Sequence, residues 1–502
     1  MKSANILVSI FSNWTNLALT IVLAFIVSPI IVNQLGNEAY GIWVLIVSFT
    51  GYFTVLDFGV NSAIVRYVSK YKAQNELSKA SQIYSTSFAF FSGIGVIVIG
   101  LTFLATLFFQ DIFDIKSIPQ AYLKNVIIII GIDLAINLSF SVLEGTLKGL
   151  QRFLILNVVA IGVALIKNAL LVYLLLNDYS LLSMALLQLS MTILKYSMQY
   201  IILKKNYQFL SLKISNVNRP TFRKIYSYSV YTFLIAIATK ILFYTDSIVI
   251  GSLISVSQVT YYAIPMMIME NLEKLIWTVI FVFIPIISAQ DATDGKNKNK
   301  ALYITGTKYS LMLCAPVILV LFIAGDDFIG LWMGDDYASP SGDVLKILLV
   351  GYLFALSQLI AQGILKGISR HKILAYILCA EAIANLVLSV ILAPSMGIVG
   401  VALGTTTPLI VASVIFIPYF TCKVLGLNFF NYLMKAVAHP ILVLAGALAF
   451  LIPLDIQVTT FGELVILSIL TASAFGIYGF FFQLETEHRE TIVNHIRKKL
   501  LS

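Results

Sequence analysis

Apolar residues run in long stretches over almost the whole chain, broken by short polar gaps. A helix needs roughly 20 mostly apolar residues to cross a bilayer. Fourteen stretches come near that length: 6–34, 40–62, 82–109, 122–143, 153–176, 180–203, 225–250, 257–288, 302–324, 344–364, 372–393, 397–420, 436–454 and 462–483. The pattern predicts an all-α integral membrane protein with about 14 transmembrane helices. The first stretch is too long for a signal-peptide core and lacks a small-x-small cleavage site, so it reads as an uncleaved first span. After Glu485, Ile492, Val493, Ile496 and Leu500 share one helical face beside Arg497, Lys498 and Lys499, the pattern of a helix lying on a membrane surface. Phe328 to Trp332 reads as a segment lying flat at the opposite surface.

One phrase occurs twice. Gly145-Thr146-Leu147-Lys148-Gly149-Leu150-Gln151-Arg152 returns as Gly363-Ile364-Leu365-Lys366-Gly367-Ile368-Ser369-Arg370, 218 residues later. Ile31 to Leu35 matches Val249 to Leu253 more weakly at the same offset. A fixed offset across separated segments indicates duplication. Six helices return a chain to its starting side, so the two copies share one orientation, as in transporters with parallel repeats. The expected organisation is an N-lobe over 1–203, a basic linker over 204–224, a C-lobe over 225–422, two further helices over 423–484 and a tail over 485–502. The fold is thus two parallel six-helix lobes plus two C-terminal helices.

Composition agrees. Hydrophobic residues make up 59% and charged residues 11%, against roughly 25% charged in soluble domains. The mean hydropathy is +0.93. Cys314, Cys379 and Cys422 sit in or beside apolar stretches and suggest no disulfide framework. The net charge of +9 fits basic cytoplasmic loops better than nucleic acid. With the N-terminus inside, Arg66, Lys70, Lys72, Lys79, Lys148, Arg152, Lys366, Arg370, Lys372 and the linker and tail cations all fall on the cytoplasmic side. The other side receives Lys116, Lys124 and Lys346, with Asp326, Asp327, Asp335, Asp336 and Asp343. Both termini are expected to be cytoplasmic.

Five lysines remain within spans: Lys167, Lys195, Lys240, Lys274 and Lys308. Each costs about 2.5–3.5 kcal/mol at the bilayer centre. Lys308 is near enough to a helix end to snorkel. Glu270, four residues before Lys274, is placed for a helical ion pair, structural or in a cavity. Lys167, Lys195 and Lys240 have no acid three or four residues away, so a partner helix, an aqueous cavity or an anionic substrate must meet their charge. Asp133, Asp246, Glu273 and Glu381 are further mid-membrane acids. The repeat aligns Lys167 with Asn385 and Glu381 with Val163, and 381 and 385 share a helical face. That face is cationic in the first lobe and acidic in the second. An anionic headgroup would rest against the first, while Asp133, Asp246 or Glu381 could carry a coupling H+ or Na+ or balance charge.

There is no phosphate loop, no H-E-x-x-H and no Cys/His cluster, so neither ATP hydrolysis, a metal nor a cofactor is expected, and an enzyme is not indicated. Gly145-x-x-x-Gly149 has the form of a helix-packing signal, but Lys148 and Arg152 favour a cytoplasmic turn.

Several segments resemble the polysaccharide-export branch of the multidrug/oligosaccharidyl-lipid/polysaccharide exporter superfamily. They are Leu35-Gly36-x-x-x-Tyr40-Gly41-Ile42-Trp43, then Leu56-Asp57-Phe58-Gly59-Val60 with Arg66, then the duplicated turn, then Gly330-Leu331-Trp332-x-x-Asp335-x-Tyr337. The resemblance covers nearly the whole chain and is closest to Wzx-type O-antigen and capsule repeat-unit flippases. It implies movement of an undecaprenyl-diphosphate-linked oligosaccharide across the bacterial cytoplasmic membrane by alternating access. Polysaccharide polymerase and chain-length proteins are the implied partners. On that reading Lys167, Lys195 and Lys240 face the diphosphate. Polar Asn13, Thr15 and Asn16 line the gap for the lipid. Relatives that flip peptidoglycan precursor use arginines in their first helices, and here helix 1 has none in its span. Two rivals remain. A cation-coupled multidrug antiporter of the same superfamily predicts an acidic or apolar cavity. A membrane polysaccharide polymerase predicts catalytic residues in a large outer loop.

Overall fold

A computed structural model describes residues 3–226, 230–280, 296–484 and 489–490. Its described residues are predominantly helical, with no strand among them, as a lipid-immersed backbone that must satisfy its own hydrogen bonds requires. The first half comprises α1 (Ser3–Gly51), α2 (Val60–Ala73), α3 (Leu77–Ile112), α4 (Gln120–Gly149), α5 (Phe153–Leu175), α6 (Leu181–Asn206) and the short α7 (Arg219–Tyr226). The second comprises α8 (Val230–Leu253), α9 (Val256–Ile280), α10 (Lys296–Met333), α11 (Asp335–Ser357), α12 (Leu359–Gly367), α13 (His371–Val411), α14 (Ile417–Leu425), α15 (Phe429–Tyr432), α16 (His439–Leu451) and α17 (Phe461–Tyr478).

Among the described residues, eleven continuous helical segments are long and apolar enough to cross a membrane. Two of them are double. α1 breaks at Gly36 (φ 75°) and α13 at Gly397 (φ 61°), so single glycines in the left-handed region do the work of loops. With α9, whose Glu270, Glu273 and Lys274 dilute its apolar character, the described helices amount to the fourteen expected.

Three stretches differ from the expectation. The second span does not run unbroken from 40 to 62. A 3-10 turn over Tyr52–Asp57 and left-handed Phe58 and Gly59 end it, and α2 then carries Arg66, Lys70 and Lys72 on a helix rather than a loop. Val60, Ala63, Ile64, Val68 and Tyr71 form its buried face. The expected outer segment over 325–343 is also helical: α10 continues past a break at Ala324 to Met333, and α11 starts at Asp335. The linker is held against α3. Ser85 Oγ donates to the Ser211 carbonyl at 2.6 Å, and Asn218 Oδ1 accepts from the Thr221 N–H at 2.8 Å, capping α7. The expected tail helix lies outside the described residues apart from 489–490.

The duplicated phrase has the same backbone in both copies. Gln151 and Ser369 are left-handed, at φ 60° and 59°. Arg152 N–H donates to the Leu147 carbonyl at 2.9 Å and Arg370 N–H to that of Leu365 at 2.7 Å. Gln151 and Ser369 donate to Lys148 and Lys366 at 2.9 and 3.2 Å. This pair of bonds is the Schellman helix end, and its acceptors are backbone carbonyls, so it accounts for the shared geometry of the two copies. Leu147 and Leu365 are both fully buried. A left-handed L-residue costs roughly 1–2 kcal/mol, more for a β-branched one. Gln151→Val or Ser369→Val is therefore expected to lower thermal stability in detergent, whereas Gly at either position should leave it unchanged or raise it.

Gly145 and Gly149 serve the turn and a helix contact together. A Cβ at Gly149 would lie 2.9 Å from Val68 Cβ and 3.0 Å from the Val65 carbonyl oxygen, so α2 packs directly on this face. The repeat also preserves contacts. Gln188 on α6 donates to Asp133 on α4 at 3.4 Å. At the same offset, Thr406 Cγ2 lies 3.1 Å from where Gly351 would carry a Cβ.

By contacts the chain forms two compact units, Met1–Ala263 with Leu378–Gly404, and Ile264–Ile377 with Thr405–Ser502. In the first, a core of Val60, Ile64, Val68, Tyr84, Phe91, Val142, Leu147 and Tyr196 ties α2, α3, α4 and α6. In the second, Tyr303 and Tyr432 stack at 4.3 Å, and Gln358 bonds to both hydroxyls.

Candidate functional site

Two polar networks lie among the helices of the first unit. One joins α4, α5 and α6. Lys167 Nζ donates to Gln188 Oε1, and Gln188 Nε2 donates to Asp133 Oδ2. Asp133 is 7% exposed, and its Oδ1 has no hydrogen-bond partner among the described residues. Further along the same helices Lys195 pairs with Glu144 at 3.0 Å, and Lys148 stands 3.9 Å from the other oxygen of that carboxylate. Lys195 Nζ also lies 4.2 Å from the Tyr196 ring centre, the geometry of a cation–π contact. Two lysines thus share one carboxylate and leave a net positive charge.

The second network joins α8, α9 and α13 and turns on Asp246, which is 1% exposed. Tyr262 Oη donates to Asp246 Oδ2 at 2.6 Å, and Asn385 Nδ2 donates to Oδ1 at 3.3 Å. Glu381, also buried, is one turn before Asn385 on the same face of α13. Tyr262 and Asn385 both turn hydrogen-bond donors on Asp246, one to each oxygen of the carboxylate. The sequence placed Glu381 and Asn385 on one face, and that face meets Asp246.

Beside this network the α1 corner packs on the α8–α9 corner, the stretches that matched weakly in the repeat. Asn37 Nδ2 donates to Tyr261 Oη at 2.9 Å, and Thr260 Oγ1 donates to the Asn37 carbonyl at 2.7 Å. A Cβ at Gly41 would strike the Val256 carbonyl, and one at Gly251 would lie 2.7 Å from Leu45. Tyr52 and Thr245 share a hydrogen bond of 2.5 Å. These glycines belong to the close approach of two helix corners.

The other candidates are placed as follows. Lys240 stands 5.1 Å from the centre of the Tyr244 ring. Asn157 on α5 donates to Asn13 Oδ1 at 2.6 Å and accepts from Asn16 Nδ2 at 3.5 Å, so both asparagines clasp α1 to α5. Thr15 bonds to its own helix. Glu270 and Lys274 pair at 3.3 Å on a half-exposed face. Next to them Trp277 donates to Glu273 at 3.2 Å, and Lys366 lies 4.4 Å from its ring centre. Sequence reading missed Glu144, Gln188, Asn157 and Tyr262. Glu144 directly precedes the duplicated phrase, and its equivalent 218 residues on is Gln362. That difference in charge was a usable signal.

The chain has relatives among known proteins. The polysaccharide biosynthesis protein family matches residues 6–291. A protein named as an O-antigen transporter in Shigella flexneri is 22% identical over 381 residues, 74% of this chain and 86% of its own. The membrane protein EpsK of Bacillus subtilis (strain 168) is 22% identical over 501 residues, 97% of each chain. In fold, the chain is similar to the lipid II flippase MurJ in an inward closed conformation (TM-score 0.69, 16% identity, 94% of this chain and 99% of that one). It is equally similar to an inward-facing multidrug transporter of the MATE family (TM-score 0.70, 14% identity, 83% and 96%). This chain, a multi-pass all-α membrane protein, belongs to the polysaccharide biosynthesis protein family.

Proposed function

We propose that the protein is a flippase for lipid-linked oligosaccharide, moving undecaprenyl-diphosphate-linked repeat units of O-antigen or capsule type to the outer leaflet of the bacterial cytoplasmic membrane. The observation that carries this reading is the cluster of Lys195, Lys148 and Glu144. Lys195 lies within an apolar helix, where a lysine is costly without a partner of opposite charge, and Lys148 stands at the expected cytoplasmic end of α4. One carboxylate shared by two lysines is a partner that a diphosphate can displace. Lys167 and Lys240 supply further positive charge, and Asn13 and Asn16 lie on the helix expected beside the lipid. The relationship to a protein named as an O-antigen transporter supports the cargo.

Transport would proceed by alternating access of the two parallel repeats, 1–203 and 225–422, with both termini cytoplasmic. Asp246 and Glu381 would take the coupling H+ or Na+, with Asp133 balancing charge beside Lys167. The protein is a carrier rather than an enzyme on this reading. The polymerase that consumes the flipped unit and its chain-length regulator act after it.

Deletion of the gene tests the proposal. Lipid-linked repeat units are expected to accumulate, shielded from probes outside the cytoplasmic membrane, and the gene in trans should release them. Normal outward movement with loss of polymer alone would indicate a polymerase. Export of organic cations by vesicles holding the protein, with no effect on repeat units, would indicate a drug antiporter.

A further inference from the structure

Asp57 sits in the 3-10 turn ahead of left-handed Phe58 and Gly59. Its Oδ1 accepts from the Asn61 N–H at 3.3 Å and from Asn61 Nδ2 at 3.2 Å, bonds that brace the first turn of α2. The same Nδ2 donates to Ser141 Oγ on α4 at 3.1 Å. Two strong acceptors are left over. Among the described residues no donor meets Asp57 Oδ2 or Asn61 Oδ1. Asn61 Oδ1 faces Gly145, where a Cβ would lie 3.0 Å from it. Asp57, Asn61 and Ser141 are each partly accessible. Ser141, Glu144 and Lys148 share one face of α4, being three and four residues apart, and the helix rises roughly 10 Å from the first to the last. Glu144 and Lys148 belong to the cluster with Lys195, and the Lys148 charge is felt at Asp57. We propose that Asp57, Asn61 and Ser141 form the subsite for the sugar bonded to the diphosphate, and that this sugar is a neutral hexose or N-acetylhexosamine. This deepens the flippase reading above and rests on it.

The chemistry is that of open acceptors beside cations. A carboxylate that accepts a hydroxyl makes a charge-assisted bond, roughly twice as strong as a neutral one. Asp57 Oδ2 and Asn61 Oδ1 suit two donors on one ring: adjacent hydroxyls, or a hydroxyl and the N–H of an acetamido group. Ser141 Oγ donates to the Leu138 carbonyl at 2.8 Å and keeps capacity to accept one bond more. With the diphosphate on Lys195 and Lys148, the sugar extends along α4 toward Ser141. Asp57 also excludes. A sugar with its own carboxylate would set two like charges against each other inside the helix bundle, where repulsion is stronger than in water. Bare undecaprenyl diphosphate would leave both acceptors without a donor, and a site built for hydroxyls loses most when they are missing. The subsite thus favours a loaded carrier lipid over an empty one.

Lipid binding to the purified full-length protein in detergent tests the subsite. The probes are undecaprenyl diphosphate, the same lipid carrying glucose, and the same lipid carrying glucuronic acid. The glucose-bearing lipid is expected to bind about tenfold more tightly than either of the others, a difference of about 1.4 kcal/mol. The readout is this ratio, which a fraction of misfolded protein does not move. Asp57→Asn keeps a carbonyl oxygen for the Asn61 N–H, and asparagine braces a first helical turn as well as aspartate does, so charge is removed and the turn is kept. It should abolish most of the discrimination against glucuronic acid. Asn61→Ala keeps the backbone bond to Asp57 and should abolish most of the preference for glucose over the bare lipid. Lys195→Ala should instead weaken all three lipids and keep their ratios. Equal binding of the three lipids by the wild-type protein, or wild-type ratios in both Asp57→Asn and Asn61→Ala, would overturn the sugar subsite, and the flippase reading would stand wherever Lys195→Ala still weakens the bare lipid. Failure of all three lipids to bind would overturn both.

Discussion

Lys195→Ala is expected to lower export of repeat units by about 10–100-fold at equal membrane levels of protein, the loss of one charge-assisted hydrogen bond of about 1.5–3 kcal/mol. The protein itself should remain stable. Lys195 is partly accessible, 22% at its side chain, and Glu144 keeps Lys148 as a second cation. Lys195→Arg should retain part of the activity, and Glu144→Gln should bind the anionic headgroup more tightly, since nothing then competes for the two lysines. The check is complementation of the deletion strain, scored by surface polysaccharide, with immunoblotting of membranes as the control. Unchanged export in Lys195→Ala would remove the cluster from the substrate path. Lys167→Ala should behave differently. Lys167 reaches Asp133 through Gln188, and Asp133 is buried, so its removal strands a carboxylate and costs stability of about 1–3 kcal/mol. Asp133→Asn in the same chain should restore stability by removing the stranded charge.

These two lysines show where sequence reading stops. Both sit mid-span without a local acid, and from the sequence they are indistinguishable. What separates them is the partner on another helix, which depends on how α4, α5 and α6 rotate about their axes. That rotation comes from packing such as Gly149 on Val68 and Gly131 on Thr102, which hydropathy does not encode. The span count and the duplication were legible because they depend on local quantities: length of apolar run, and identity at a fixed offset. The Leu-Lys pair of the repeated phrase marked a helix end that recurs bond for bond. The breaks at Gly36 and Gly397 fall at the expected boundaries between spans. The end of the second span was less legible, because α2 is amphipathic over one face only and its basic residues resembled a loop. The acidic face of α13 was foreseen from Glu381 and Asn385, four residues apart. Its meeting with Asp246, some 139 residues earlier, needed the fold.

Asp246→Asn should reduce export by more than tenfold while leaving the protein folded. The argument rests on what the substitution keeps. Asparagine has the same size and one carbonyl oxygen, which can still accept the Tyr262 hydroxyl now bound at 2.6 Å. Its amide nitrogen would face the Asn385 side chain, and rotation of the Asn385 amide restores a donor–acceptor match. Thermal stability in detergent is therefore expected to fall by no more than about 1 kcal/mol. The negative charge alone is lost, and with it the ability to hold a cation against the cost of burial. Asp246→Ala removes the acceptor as well, taking a hydrogen bond from both Tyr262 and Asn385, and it should lower stability by about 1–3 kcal/mol. Comparing the two separates charge from packing: export lost in both with stability lost only in alanine assigns a coupling role to the carboxylate. Wild-type export in Asp246→Asn would instead mean that no cation at this site drives the cycle. The direction of flow would then be set by consumption of the flipped unit on the outer side.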